Sequence, residues 1–272
     1  MSDLHGAVVL ITGASGGFGQ ELTRQLLEAG SHLILTDLDE TLLKERAEAI
    51  QREVKTGDIL ALLGINLSER DGCETLYRQV KDLGIEIDIL INNAGIGLFG
   101  RMDEVPGEKW ERLMQVNLLA PMRLSSLFAA DMIKRRQGHI VNISSAAGWI
   151  APAGMAHYAA SKFGLRGFSE GLLNEVKIYN VKVTAVYPFY SRTPILKSEQ
   201  YGTLAKENQG LPDFIITDPA KVMGKTIQGI IDDKPQVFPD RMAKIISVIK
   251  RFFPQLLNWI LNGFNRKPKA NV

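Results

Sequence analysis

Six short runs of β-branched and aliphatic residues recur along this chain, separated by stretches of helical periodicity. That alternation narrows the possible folds more than any other feature. The runs are "AVVLIT" (7–12), "HLILT" (32–36), "ILALL" (59–63), "IDILI" (87–91), "HIVNI" (139–143) and "VKVTAVY" (181–187). Most are apolar on both faces, as strands roofed by helices on both sides must be. Between them, segments such as 165–176 bring Leu165, Phe168, Leu172 and Val176 to one helical side. A late run, "PQVF" (235–238), is placed to close an edge. The pattern predicts an α/β fold: a Rossmann-like, doubly wound parallel sheet of about seven strands with helices on both faces. At 272 residues such a core needs no covalent staple, and the single cysteine, Cys73, fits a reducing compartment. No segment approaches the ~18 apolar residues of a membrane span. The opening "MSDLHGAVVL" has no signal-peptide pattern. The expected location is cytoplasmic, with a peripheral membrane contact as an added option.

The first strand runs directly into "TGASGGFG" (12–19), and a helix follows. Gly13, Gly17 and Gly19 suit a tight turn against a pyrophosphate, with Ser15 and Phe18 in the same loop. Such a loop permits close backbone approach and presents helix N–H donors. The same glycines also suit an ordinary βα turn; the position after strand one favours a nucleotide. The second strand ends in Asp37. A carboxylate there can accept from the adenosine ribose hydroxyls and would repel a 2′-phosphate, favouring NAD over NADP. The alternative is a solvated carboxylate opening the loop "DLDE".

Tyr158 and Lys162 in "HYAASKFGL" lie one turn apart on a helix face. Spacing alone leaves open whether they are a catalytic pair or neighbours by chance. With them the chain resembles the short-chain dehydrogenase/reductase family over nearly all of residues 5–240. "TGASGGFG" is similar to that family's cofactor loop. "NNAG" (92–95), with Asn93, Ala94 and Gly95, resembles its sheet-stabilising motif. Asn117 in "MQVNLLAP" matches its active-site asparagine, and "HIVNISSAAG" (139–148) its serine strand. "YAASK" (158–162) matches its Tyr-x-x-x-Lys. Within "SS", Ser145 lies thirteen residues before Tyr158, the usual family spacing.

The resemblance implies hydride transfer between an alcohol or ketone and a nicotinamide, with Tyr158 moving the hydroxyl proton. A free phenol has pKa ~10; a Lys162 ammonium and an oxidised nicotinamide would lower it, ~3 units corresponding to about 4 kcal/mol. Ser145 would hold the substrate oxygen, Lys162 the nicotinamide ribose, and Asn117 a water on a proton path. Asn66, Leu67, Pro188 and Thr193 are further expected cofactor contacts; no metal site is expected. Two positions depart from the family pattern. Phe189 stands in "YPFYSRT" (187–193) where a glycine is usual. Asn66 stands in "INLS" (65–68) where an aspartate is common, its carbonyl oxygen still able to meet the adenine amino group. His157, His139 and Ser144 are read as structural: a packed or rim histidine, a strand-start cap and a turn hydrogen bond.

The expected domain is 1–240, with 189–218 as a substrate lid and 241–272 as a basic amphipathic tail. Phe189, Tyr190, Ile195, Leu196, Tyr201 and Leu204, with Trp149 nearby, suggest a small apolar alcohol or ketone of steroid, retinoid or fatty-chain type. No cluster of Arg or Lys visibly faces this region, so an acidic substrate is not expected. The tail carries seven basic and no acidic residues, leaving residues 1–240 with 25 basic against 30 acidic groups. Segment 241–264 sets Ile245, Ile249, Phe252, Leu256, Ile260 and Phe264 at helical spacing, with Pro254 expected to break it. It fits a helix lying on anionic membrane or one packed on its own domain or a sister subunit. No nucleic acid partner is expected. A homodimer or homotetramer through helices near 107–135 and 155–178 is. An epimerase-like enzyme or a nucleotide-binding membrane-surface scaffold are the alternative functions.

Overall fold

The chain's structure, a computed structural model, describes residues 2–206 and 212–255. In chain order its elements are β1 (Val8–Thr12), α1 (Gly17–Glu28), β2 (His32–Asp37), α2 (Glu40–Glu53), β3 (Asp58–Gly64), α3 (Arg70–Asp82), β4 (Ile89–Asn92), β5 (Phe99–Gly100) and α4 (Gly107–Met114). There follow α5 (Ala120–Arg135), β6 (Gly138–Ile143), α6 (Ala156–Val176), β7 (Val181–Val186), β8 (Gln200–Tyr201), α7 (Gly202–Lys206), α8 (Pro219–Ile231), β9 (Gln236–Val237) and α9 (Arg241–Phe252).

Seven strands pair in parallel in the order β3-β2-β1-β4-β6-β7-β9. The chain works outward from β1 to β3, then returns to β4 and works outward on the other side. Between β1 and β4 the order reverses, which opens a crevice at their carboxyl ends.

Alternate residues of each strand feed opposite cores, which is why the strands read as apolar throughout. Val9, Ile11, Leu33, Leu35, Ile89 and Ile91 meet α1, α2 and α8. Leu10, Ile34 and Leu90 meet α3, α5 and α6. The edge strands β3 and β9 carry exposed residues.

Two histidines read as structural are buried. His139 is the second residue of β6, not a cap. Its Nε2 lies 2.8 Å from Thr184 Oγ1 and its Nδ1 3.1 Å from Ser2 Oγ. Burial pushes His139 down to about 4, so the ring is neutral at pH 7.

α9 continues directly from the β9 edge. Asp240 caps it by accepting the Ala243 N–H at 2.8 Å. Ile246 and Ile249 pack on Trp149, Tyr187, Phe189 and Phe238, so one face lies on its own domain. The other face leaves Met242, Ile245, Val248 and Phe252 exposed, Phe252 at 65%. Phe253 leaves helical geometry just before Pro254. The expected positions Leu256, Ile260 and Phe264 lie outside the described residues. Among those residues, no helix is long and apolar enough to cross a membrane.

Candidate active site

The chemical side chains gather at the carboxyl ends of β1, β4, β6 and β7, where they line one cavity of about 850 Å³. Its inner end is the glycine loop. Gly13 has φ +68°, and a methyl there would sit 2.7 Å from Ala94 Cα. A methyl on Gly19 would sit 2.1 Å from the Gly13 carbonyl oxygen. The backbone is therefore folded too closely for side chains, and α1 opens beside it without an acidic residue in its first turn. The first N–H groups of a helix have no partner inside it. With no side chain in front of them, they form a cradle that fits an anionic pyrophosphate. Asn93 braces the loop, its Nδ2 donating to the Thr12 and Gly13 carbonyls at 3.0 and 2.9 Å. Thr193 approaches from the opposite side: its methyl would lie 2.7 Å from a Cβ on Gly17.

Asp37, Asn66 and Leu67 line the same end of the cavity. Asp37 is tied to the loop, its Oδ2 accepting the Ser15 N–H at 2.8 Å and the Ser15 hydroxyl at 2.5 Å. Arg46 of α2, which the sequence reading passed over, donates to the Ser15 carbonyl. Asn66 departs from expectation. Its side-chain oxygen already accepts the Ser68 N–H at 3.0 Å and the Ser68 hydroxyl at 2.6 Å, an Asx turn that engages both lone pairs. That oxygen is not free for an amino group.

Tyr158 and Lys162 sit on α6, one turn apart, at the cavity wall. The Ser145 side chain acts on the Tyr158 phenol in the direction that favours its ionised form, and its Oγ accepts the Ala147 N–H at 3.1 Å. Ser144 instead donates to the Lys162 carbonyl at 3.1 Å. Lys162 Nζ lies 5.7 Å from the Tyr158 ring centroid and donates to the Ile143 carbonyl at 3.0 Å. Burial pushes Lys162 down to about 8. It pushes Tyr158 up to about 12. The sign is opposite to the lowering expected from sequence: removal from water outweighs the influence of Ser145. The phenol is therefore protonated at neutral pH, and a positively charged nicotinamide against the same wall would supply the opposing field.

Asn117 lies in a π-helical turn, Gln115–Leu119, and is fully buried. Its Oδ1 accepts the Ile96 N–H and its Nδ2 donates to the Ile96 carbonyl, both at 2.9 Å. The side chain thus clamps the loop after β4.

Phe189 has no left-handed φ; its N–H donates to Asp240 Oδ2 at 2.8 Å, and its ring packs at 4.7 Å from Tyr190. β8 of the lid pairs with β5, and Lys109 holds Glu199 at 2.9 Å. Trp149, expected at the cavity, is buried under Arg166 at 3.4 Å, and Ile150 lines the wall in its place. Sequence reasoning missed Asp240, since its two bonds join segments 51 and 3 residues away. It also missed the buried chain linking Asn92, Asn142 and Ser169 beneath the site.

A family model described as short chain dehydrogenase matches residues 7–202. The 3-oxoacyl-[acyl-carrier-protein] reductase FabG of Vibrio cholerae is 34% identical over 224 residues, spanning 81% of this chain and 88% of its own. Epidermal retinol dehydrogenase 2 of Homo sapiens is 31% identical over 256 residues, spanning 93% and 80%. A short-chain dehydrogenase from Sphingobium yanoikuyae, solved with NADPH, superposes with a TM-score of 0.78 at 26% identity, covering 98% of each chain.

Proposed function

The chain belongs to the short-chain dehydrogenase/reductase family and is an oxidoreductase acting on a CH–OH or C=O group with NAD or NADP; from this we propose that its substrate is a small apolar ketone or secondary alcohol and its preferred cofactor NAD. When bound, the nicotinamide supplies or takes up the hydride. Gly13, Ser15, Gly17, Phe18, Gly19, Asn93, Ala94 and Gly95 would cradle its phosphates and adenosine, and Pro188 and Thr193 would flank its other end. The Asp37 carboxylate beside the loop disfavours a 2′-phosphate, while Arg46 is held by the Ser15 carbonyl.

Tyr158 carries the proton. Its raised pKa keeps it protonated, the state needed to donate to the oxygen of a ketone being reduced. Ser145, in the same lining as the phenol, would orient the same substrate oxygen and stabilise its developing charge. Lys162, buried and close to the phenol ring, would offset the phenolate charge as the proton leaves and would donate to the nicotinamide ribose. Asn117 positions Ile96 on the facing wall. The observation that carries this reading is that Ser145, Tyr158 and Lys162 line one cavity together, Lys162 Nζ 5.7 Å from the phenol ring, with Ile96, Ile150, Met155, Phe189 and Tyr190 in the same wall.

Segment 189–218 would act as the lid, docked through β8. Exposed Met122 and Phe163, at 36% and 39%, support a homodimer or homotetramer through α5 and α6. The exposed stripe on α9, flanked by Lys244, Lys250 and Arg251 without an acid, supports contact with an anionic membrane surface. Flotation with anionic vesicles checks this; binding unchanged in a chain lacking 241–272 would reject it. The function itself is tested by titrating NADH against NADPH and then screening apolar ketones. Tighter NADH binding with ketone-dependent oxidation is expected; a tenfold preference for NADPH, or turnover confined to small polar sugars, would overturn it.

A further inference from the structure

The outer part of the cavity departs from its apolar floor. On α4 and the turn that follows, Lys109, Arg112 and Val116 recur at three and four residues, so one helical stripe faces the cavity. Its inner member is apolar and its outer two are cationic. Across the opening, the lid's turn Pro194–Lys197 brings Lys197 to the same lining. No local pattern announces this, because Lys109 and Arg112 lie far in sequence from Lys197 and share the lining only in the folded chain. Glu199, on the same rim, already pairs with Lys109. Arg112 and Lys197 are exposed, and among the described residues neither has a carboxylate within ion-pair distance. The mouth of an apolar cavity thus carries three cations against one carboxylate, Glu199, which Lys109 pairs directly and Arg112 acts on from farther away.

Resting on the ketone-reductase reading above, we propose that the substrate carries an anionic group, a carboxylate or phosphate, at the end remote from its carbonyl. The apolar body lies along Ile96, Val116, Ile150 and Phe189 with its carbonyl at Tyr158. The remote anion meets Arg112 and Lys197 at the mouth. Two partly solvated ion pairs together correspond to about a tenfold lower KM for the charged compound than for its neutral analogue. Arg112 and Lys197 are specificity residues: they set which substrate is taken and leave the proton transfer untouched.

The test uses the full chain with its cofactor and a matched pair of probes, a long-chain oxo fatty acid with its ketone near the methyl end and the methyl ester of that acid. The wild-type enzyme should reduce the acid with a KM about tenfold below the ester's, and the advantage should shrink with added salt. Arg112→Glu with Lys197→Glu should reverse the preference while leaving ester kcat/KM within about twofold. Both side chains are exposed and make no hydrogen bonds within the described residues, so the variant should fold. Equal treatment of acid and ester by the wild type, or an acid preference that survives the double substitution, overturns the proposal. If neither probe is turned over, the ketone reading fails, and calorimetry decides the anion separately. A fatty carboxylate binding the cofactor-loaded enzyme more tightly than the matching alcohol, with the difference lost in the variant, supports the proposal; equal binding overturns it.

Discussion

Asp240 joins two parts of the molecule that the sequence keeps apart, and its replacement by Ala should be felt in both. One carboxylate oxygen accepts the Ala243 N–H that begins α9, and the other accepts the Phe189 N–H in the cavity wall, each at 2.8 Å. The residue is 6% exposed, so water cannot readily replace the lost acceptor. Loss of an N-cap costs about 1 kcal/mol, and a buried N–H deprived of a charged acceptor about 2 kcal/mol more. The expected cost is therefore ~3 kcal/mol, or roughly 6–12 °C in melting temperature for a chain of this size. Asp240→Asn keeps one acceptor oxygen and should lose about half as much. Urea unfolding measures the total, and hydrogen exchange resolves where it falls: amides of α9 should open first. Because Phe189 lines the cavity, KM for an apolar ketone should rise several-fold while the pH profile set by Tyr158 stays in place. An Ala variant within about 0.5 kcal/mol of wild type, with α9 exchange unchanged, would refute the reasoning.

Three further outcomes follow from the site and its foundations. His139 has its pKa lowered from 6.5 to about 4, so as pH falls through that window the unfolded chain binds a proton that the folded chain refuses; stability should drop by ~3 kcal/mol, and this acid-side slope should flatten in His139→Gln, as read by urea unfolding at stepped pH. Lys162 has its pKa lowered from 10.5 to about 8, so the folded protein loses this proton first; ketone reduction should decline above about pH 8, and Lys162→Arg should remove that limb from the rate profile. Gly13→Ala forces a methyl to 2.7 Å from Ala94 Cα at φ +68°, so cofactor binding measured by nicotinamide fluorescence should be lost.

The parts of the fold legible in the sequence are those written in local pattern. Strands with both faces apolar, the glycine loop after β1 and the pairing of Tyr158 with Lys162 along one helix are all short-range signals. What escaped was long-range. The β5–β8 ribbon joins residues about a hundred positions apart, and no two-residue strand carries a periodicity. Asp240 escaped because its second oxygen finds Phe189, 51 residues earlier, only in the folded chain. The cations at the cavity mouth are harmless surface residues until the lid aligns them. Asn66 and Tyr158 show a different limit. Their positions follow from the motif, but whether a lone pair is free, or which way a pKa moves, depends on neighbours and burial that a motif does not encode.

The central claim is that the Tyr158 phenol moves the substrate proton. It is tested most directly by comparing wild type with Tyr158→Phe for NADH-linked ketone reduction and, on the same samples, for NADH affinity. The ring and its packing survive the change, and only the hydroxyl in the cavity wall is lost. Turnover should fall by about a thousandfold while NADH binding holds within about twofold. Turnover near the wild-type rate, with the cofactor bound as before, would contradict the account.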